Sequence, residues 1–161
     1  MNDRDFRLMA RSLPTTVTVV SGTVNGAPLG MVVGSFVPIS SNPALVGFFG
    51  DRRSNTFTSI VDMTRLSFCV LADNQHEVVE KFRGPASNRF DGVDWYPSAR
   101  GLPRIRGSFV SLDAEVHSRA ELGDHIMVVA RVLDSEVGGP DDAPILYHRF
   151  QLTTPRAATS A

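Results

Sequence analysis

The sequence predicts a mainly β fold, in the form of a small closed barrel with a few short flanking helices. Six or seven short apolar runs follow one another at close spacing, as in small barrels, and helical periodicity is confined to a few short stretches. The 161 residues contain no internal repeat and no linker. One domain is therefore expected over 1–152, followed by a disordered tail over 153–161.

An amphipathic helix is predicted at the start of the chain. Its apolar residues recur at intervals of three and four and end before Pro14: Phe6, Met9, Ala10 and Leu13. The β-branched residues of 15–21 then predict a strand. Asn25-Gly26 predicts a hairpin turn, because both central positions of a type I′ turn need a positive φ.

Further strands and two short helices follow. Strands are predicted over 31–36, 44–49, 66–71, 110–117 and 126–133, with a final strand or extended arm over 145–150. One helix begins after Ser54 and another ends at Gly84-Pro85. The run 126–133 is apolar on both faces and should be central in the sheet. Residues 84–107 lack a period, which is typical of a functional connection or lid.

Composition and charge exclude several classes of protein. A net charge of −1 provides no basic field for nucleic acid and no polybasic tail for a membrane. No apolar run approaches the roughly 18 residues that span a bilayer, and the N-terminus has no signal-type core, so a cytoplasmic protein is expected. Cys69 stands alone in an apolar run and predicts a buried structural thiol. The histidines have no carboxylate at a ligand spacing, so no metal site is expected.

Small residues interrupt the apolar run that extends from Gly30 to Ser40. They indicate either a bulge in an ordinary sheet or a flat ligand against the backbone, with N–H groups and Ser35 at the polar edge of a flavin ring. The later stretch 52–56, Arg-Arg-Ser-Asn-Thr, is either a simple helix cap or a phosphate site. A place for a planar ring followed by a place for a phosphate fits a flavin nucleotide.

Two polar segments in the C-terminal half are candidates for a second ligand. Asp124-His125 precedes the central apolar run, and Tyr147-His148-Arg149 places an aromatic ring beside a titratable ring and a cation. A structural histidine and a solvated edge strand are the alternatives. The dinucleotide fingerprint, the Walker loop and the nucleophile elbow are absent from the sequence, so redox chemistry here would not use a Rossmann fold.

In order and spacing, these features resemble the flavin reductase-like family with the FMN-binding split-barrel fold. Its members are small NAD(P)H:flavin reductases that serve two-component monooxygenases. The resemblance extends from about Arg7 to Arg149. It rests on the opening helix and on these segments: Thr16–Val20, Gly30-Met31, Ser35-Phe36, Asn42–Val46, Arg53–Thr56, Phe82 with Arg89-Phe90, Gly101–Pro103, Gly123–His125 and Leu146–Arg149.

The resemblance implies a split barrel and a set of site residues. The isoalloxazine ring would be lined by Met31, Val32, Val33, Gly34, Ser35 and Phe36, with Phe48 and Phe49 near the ring and the ribityl chain. The phosphate would be held by Ser54, Thr56 and Arg53, and Arg89 would reach the flavin or the nicotinamide nucleotide. The nicotinamide side would be formed by His125, Tyr147, His148 and Arg149, with His125 the candidate catalytic residue.

The resemblance also implies the ligands and the partners. The flavin is FMN or FAD, the hydride donor is NADH or NADPH, the protein is a homodimer with the flavin at the interface, and a partner monooxygenase receives the reduced flavin. Apart from the resemblance, Arg100, Arg104 and Arg106 are either candidates for a 2′-phosphate of the donor or ordinary surface residues.

The chain departs from the family pattern at three positions. Thr16 and Phe150 each replace a usual glycine, and Gly34 replaces a usual Asn or Ala. These departures keep two alternatives open. One is a flavin-binding carrier or accessory protein with little reductase activity, and the other is a flavin-dependent oxidase on the same fold.

Overall fold

A computed structural model describes residues 2–155, which form three α-helices and twelve strands. The helices are α1 (Asp3–Arg11), α2 (Asn55–Val61) and α3 (His76–Arg83), with a turn of 3-10 helix over Ala86–Asn88. The strands are β1 (Thr15–Thr16), β2 (Thr18–Val24), β3 (Ala27–Val33), β4 (Val37–Ser41), β5 (Ala44–Asp51), β6 (Arg65–Val70), β7 (Trp95–Pro97), β8 (Pro103–Ile105), β9 (Val110–Leu122), β10 (His125–Val137), β11 (Leu146–His148) and β12 (Gln151–Thr153).

Local signals account for three boundaries. The predicted first helix is confirmed as α1, and Asn2 caps it by accepting a hydrogen bond from the Asp5 N–H at 2.9 Å. The hairpin between β2 and β3 is confirmed by the positive φ of Asn25 (51°) and Gly26 (80°). Ser54 caps α2, because its hydroxyl accepts from the Phe57 N–H at 3.3 Å.

Seven strands form one antiparallel sheet in the order β3-β2-β6-β9-β10-β5-β4. The mainly β prediction is confirmed, as is the central place of β10, but the predicted closure is wrong, because β3 and β4 remain two separate edges of this sheet. After Val33 the chain leaves the β2 ladder, and it joins β5 only at Val37, so no seam of backbone hydrogen bonds closes the barrel. The barrel is therefore split.

The main sheet has an apolar core on each face. In β2 and β6, the neighbours Val19 and Val20, and Cys69 and Phe68, belong to different clusters, as expected for side chains that alternate between faces. α2 covers one core with Phe57, and α3 covers the other with Phe82 and Val79. The Cys69 thiol is fully buried, as predicted, and burial raises its pKa to about 11.

Residues 84–107, predicted as a functional connection or lid, form an arm that packs on the second core. Phe90 and Ile105 are buried in the second core, and β7 pairs with β8. Arg104, 2% exposed, donates from Nε to Asp113 at 2.9 Å and from Nη2 to Asp134 at 2.8 Å. Burial opposes the charge, but these carboxylates more than compensate and raise the pKa of Arg104. This guanidinium is therefore committed to the fold and is not open to a 2′-phosphate.

The chain continues past the expected end of the domain. β11 pairs with β1 on one side and with β12 on the other, and β12 includes Thr153. Residues 156–161 of the predicted tail lie outside the described residues. In the described part of the chain, the longest helices are too short and too polar to cross a membrane.

Candidate active site

The segment 34–36 connects β3 to β4 and lies outside both strand ladders, although the sequence predicted a strand through Phe36. The Ser35 hydroxyl donates to the Phe49 carbonyl and accepts from the Phe49 N–H, both at 3.0 Å. Within residues 2–155, the backbone N–H groups of Gly34, Ser35 and Phe36 have no hydrogen-bond partner. Gly34 is exposed and the other two are half-buried, so this segment offers backbone donors to an electron-rich ligand edge.

The absence of a side chain at Gly34 allows β1 to approach this segment. A Cβ at Gly34 would lie 2.7 Å from the Thr15 Oγ1 atom. Thr15 is the register partner of Tyr147, and both line a cavity of about 220 Å³ with Val32 and Gly34. Thr16 lines it as well. The structure thus brings Tyr147 beside the segment predicted to hold the ring.

Arg89 ties β3 to α2. Its Nη1 donates to the Gly30 carbonyl at 2.9 Å and to the Thr56 hydroxyl at 3.3 Å, and its Nε donates to the Gly84 carbonyl at 3.1 Å. Burial lowers the pKa of this half-buried guanidinium. Because the three carbonyl and hydroxyl groups fix its orientation, Arg89 sets the spacing between the predicted phosphate residue Thr56 and the strand that leads to the 34–36 segment.

A second and larger hollow of about 690 Å³, termed here the His125 cleft, opens at the ends of β5 and β10. The β5–β10 register places His125 opposite Asp51 and Met127 opposite Phe49. Phe49 is also the partner of Ser35, so the cleft adjoins the 34–36 segment. The cleft is lined by Phe6, Arg7, Arg11, Phe49, Arg53, Leu122, Asp124 and His125.

One ion pair and one hydrogen bond between a histidine and a carboxylate order the polar side chains of this cleft. Arg53 binds Asp51 through two parallel contacts, Nε to Oδ1 at 3.1 Å and Nη2 to Oδ2 at 2.8 Å, and the Arg53 N–H adds a third at 2.9 Å. These hydrogen bonds hold the pKa of Asp51 well below its usual range. The His125 Nδ1 lies 2.8 Å from the Asp124 Oδ1, which lowers the pKa of Asp124. Nε2 is therefore the His125 nitrogen left for a ligand.

The structure brings some of the predicted residues together and separates others. Phe49, Arg53 and His125 share the His125 cleft, whereas Tyr147 lines the smaller cavity. Arg149 lies in the β11–β12 turn, with Phe150, and its N–H donates to the Arg11 carbonyl at 3.3 Å. Phe48, predicted near the ring and the ribityl chain, is 0% exposed and packs edge-on against Phe57 and Phe68, so its side chain belongs to the core.

Several residues of the cleft were not predicted from the sequence. Arg7 and Arg11 come from α1, whose position beside β5 and β10 is a tertiary feature. One signal was present, because arginines at positions 4, 7 and 11 recur on one helical face, away from the apolar stripe. Thr15 was likewise missed, since only its contact with Gly34 gives it a role.

Comparisons with known proteins identify the family of this chain. Residues 9–155 match the family described as flavin reductase like domain. A flavin reductase of Pseudomonas putida is 34% identical over 143 residues, which cover 88% of this chain and 84% of that protein. The crystal structure of nitrilotriacetate monooxygenase component B from Mycobacterium thermoresistibile superposes with a TM-score of 0.90 at 30% identity and covers 98% of this chain and 90% of that one.

A further solved structure is informative because of its ligands. It is an NADH:FAD oxidoreductase of Streptomyces globisporus in complex with NAD and FAD fragments. It has a TM-score of 0.90 and 25% identity, and the match covers 98% of this chain and 96% of that one. The fold of this chain is thus that of a protein solved with NAD and FAD fragments.

Proposed function

This chain belongs to the flavin reductase-like family, and we propose that it is an NAD(P)H-dependent flavin reductase that supplies reduced FMN or FAD to a partner monooxygenase. The observation that carries the proposal is the 34–36 segment, with its unpartnered N–H groups among the described residues, next to a cleft that contains a histidine. Such donors suit the ring edge on which negative charge develops during flavin reduction. Because the reaction consumes NAD(P)H, the protein is expected in the cytoplasm.

The flavin ring is assigned to the β3 edge and the 34–36 segment, the region of Met31 to Phe36. Gly34 lets the ring approach the backbone, and the Ser35 hydroxyl holds Phe49 in place beside it rather than binding the ligand itself. The phosphate is assigned to Ser54, Thr56 and Arg53. Arg89 acts from behind this group, since it already binds the Thr56 hydroxyl.

The nicotinamide side is assigned to His125, Tyr147, His148 and Arg149. When both nucleotides are bound, the nicotinamide provides a hydride and the flavin N5 accepts it, so the chemistry belongs to the ligands. The protein positions the two rings at roughly 3–3.5 Å and provides fixed donors. Asp124 orients the His125 ring, which directs Nε2 into the cleft.

We propose that the chain acts as a homodimer with the flavin site at the interface. Large apolar side chains are exposed on α1, including Phe6 at 53%, just after α1, where Leu13 is 57% exposed, and on the sheet edge β4, where Ile39 is 43% exposed. Monomeric proteins rarely expose such residues together, and a second copy would cover them. Light scattering coupled to gel filtration should give twice the 17.5 kDa chain mass, and a monomer at micromolar concentration would contradict this.

NADH oxidation by the purified apo-protein, followed by absorbance with FMN, FAD or no flavin, tests the proposed function. Fast oxidation that depends on added flavin is expected, and the better flavin identifies the preferred substrate. No oxidation by a protein that keeps its flavin through gel filtration would contradict it and favour a carrier. Peroxide formed from a bound small molecule without NADH would favour an oxidase.

The role of His125 is tested by His125→Ala, with His117→Ala as the matched control on an exposed position of β9. We expect the first variant to lower the NADH-dependent rate while flavin still binds, because it removes the imidazole from the cleft. The control should retain the wild-type rate. Unchanged kinetics in His125→Ala would remove this residue from the mechanism.

A further inference from the structure

One face of α1 carries a row of arginines. Arg4, Arg7 and Arg11 are spaced by three and four residues, so they share one side of the helix. The chain as a whole has a net charge of −1. Three of the 16 lysine and arginine residues therefore lie on one face of this short helix, which also carries Asp3 and Asp5.

Two of these arginines face the His125 cleft. Arg7 and Arg11 line it from α1, and Arg53 lines it from the turn after β5. Asp124 is the carboxylate among the described lining residues, and it is hydrogen-bonded to His125, while Arg53 is paired with Asp51. Arg7 and Arg11 therefore place two guanidinium groups on the α1 side of the cleft. A guanidinium binds phosphate oxygens in a planar, two-pronged geometry, which makes arginine a preferred residue for this group.

The size and the other walls of the cleft fit a nucleotide. Its volume of about 690 Å³ lies within the usual range for small-molecule sites, roughly 300–1,000 Å³. Phe6 and Phe49 provide aromatic surface in the same hollow. His125 lies in the same cleft as the arginines, so a ligand whose nicotinamide reaches the imidazole would extend its phosphates along the cleft.

We propose that Arg7 and Arg11 bind the pyrophosphate of the nicotinamide dinucleotide and so make α1 part of the donor site. This inference rests on the proposed function, because it takes NAD(P)H as the hydride donor. It assigns a binding role to two residues whose sequence context indicates only an amphipathic helix. Arg4 does not line the His125 cleft. It lines a neighbouring hollow with Leu8 and Phe150, and Arg7 and Arg11 stand between the two hollows and border both.

The kinetic test compares Arg7→Gln and Arg11→Gln with Arg4→Gln, a control with the same charge change on the same helix. Each of the first two should raise the KM for NADH about tenfold, the lower end of the effect of losing a hydrogen bond to a charged group, with kcat within about twofold. The control should leave both constants unchanged. Arg7→Lys should give an intermediate KM, because it keeps the charge and loses the fork.

A donor without phosphates separates this role from a structural one. With reduced nicotinamide riboside, which lacks the pyrophosphate, Arg7→Gln and Arg11→Gln should show the wild-type KM. Added NaCl should raise the NADH KM of the wild type more than that of the double variant that carries both Arg7→Gln and Arg11→Gln, because salt screens the exposed charges of the two arginines. An equal rise for NADH and the riboside, or an NADH KM within twofold of wild type, overturns the proposal. A change confined to the preference for FAD over FMN also overturns the proposal, since it would mean that the arginines bind the flavin rather than the nicotinamide dinucleotide.

Calorimetric titration with ADP-ribose keeps this inference separable from the proposed function. ADP-ribose carries the same pyrophosphate and requires no turnover. The wild type and Arg4→Gln should bind it alike, and Arg7→Gln should bind about tenfold more weakly. If the protein shows no NADH-dependent flavin reduction, the proposed function fails, while the titration still decides whether the cleft binds this group. Equal binding by all variants overturns the assignment. Arg7→Gln is the decisive variant, because Arg11 also stacks over the Phe150 ring at 5.0 Å.

Discussion

Replacing Ser35 with alanine tests how the candidate flavin site is held in place. The Ser35 hydroxyl makes two hydrogen bonds to the backbone of Phe49, one as donor and one as acceptor, and both are 3.0 Å long. These bonds fasten the 34–36 segment to β5 at the place where the ladder between β3 and its neighbours has ended. Alanine removes both bonds and adds no bulk, so the change acts on this connection alone.

The size of the effect follows from the two bonds. A hydrogen bond within a protein contributes about 1 kcal/mol net, so losing two should lower the free energy of unfolding by about 2 kcal/mol. For a domain of this size, 1 kcal/mol corresponds to roughly 2–4 °C in melting temperature, so a decrease of about 4–8 °C is expected. The Phe49 N–H and carbonyl belong to the half-buried rim of the cleft, and water replaces part of the lost interaction. The decrease in melting temperature is therefore expected to lie in the lower half of that interval.

Urea unfolding and flavin titration together measure the result. We expect Ser35→Ala to lower the unfolding midpoint and to raise the Kd for FMN or FAD, because the N–H groups of Gly34 and Phe36 lose their fixed geometry. Ser41→Ala, at an exposed position of β4, is the control and should change stability by less than about 0.5 kcal/mol. Full stability with weakened flavin binding would refute the reasoning, since it would mean that the hydroxyl binds the flavin directly.

Three further changes test the backbone and the charges around the site. Phe150 has a φ of 68°, a backbone conformation that costs an L-residue about 1–2 kcal/mol. Phe150→Gly removes this cost but also removes the exposed contact of the ring with an arginine and adds the entropy cost of glycine, so the melting temperature should rise only slightly. A decrease in melting temperature would show that the ring contact dominates. Gly34→Ala should lower the free energy of unfolding by about 1 kcal/mol, because its Cβ would contact Thr15. Thr15→Ala should relieve that loss in the double variant, so additive effects of the two substitutions in a double-mutant cycle would contradict the contact. Asp51 has a lowered pKa, so its contribution to stability is present above its unfolded pKa of about 3.9 and is lost as the pH falls. Between pH 5 and 2, the melting temperature should therefore decrease less steeply for Asp51→Asn than for the wild type. Parallel curves of melting temperature against pH would disprove the effect of Arg53.

Local chemistry accounts for the elements that the sequence predicts. Asn25-Gly26 and Ser54 act through their own backbone and nearest neighbours, so a turn and a helix start follow from a few residues. The first half of strand β10 is predictable because its residues 126–130 are apolar at every position. Strand β4 is not, since Pro38 and exposed residues give it no alternation, and its place depends on pairing with β5. Closure of the barrel is equally non-local, as it depends on where β3 leaves the sheet.

The sequence predicts which segments form the candidate site, but it does not predict what each side chain in them contacts. Phe48 and Phe49 are adjacent in an apolar run, but successive residues of a strand face opposite sides, and only the packing shows that Phe49 faces the cleft. Arg89 carries a charge that suits a nucleotide, yet three polar groups of the chain already receive its N–H groups. The contribution of α1 depends on where the helix lies, which no residue within it specifies.

The polar side chains of the candidate site are used mainly to hold the protein itself, which explains why their contacts differ from those that the sequence predicts. Ser35, Arg89 and Asp51 are the residue types from which a ligand site is usually inferred, and each binds another part of the chain instead. In a reaction whose bond changes occur on the nucleotides, the protein contributes by fixing distances and donors, so its polar side chains are most effective when they hold the backbone rigid. Variants of these residues should therefore change affinity and stability together, whereas variants of His125 should change the rate alone. That difference separates residues that position the site from those that contact the ligands.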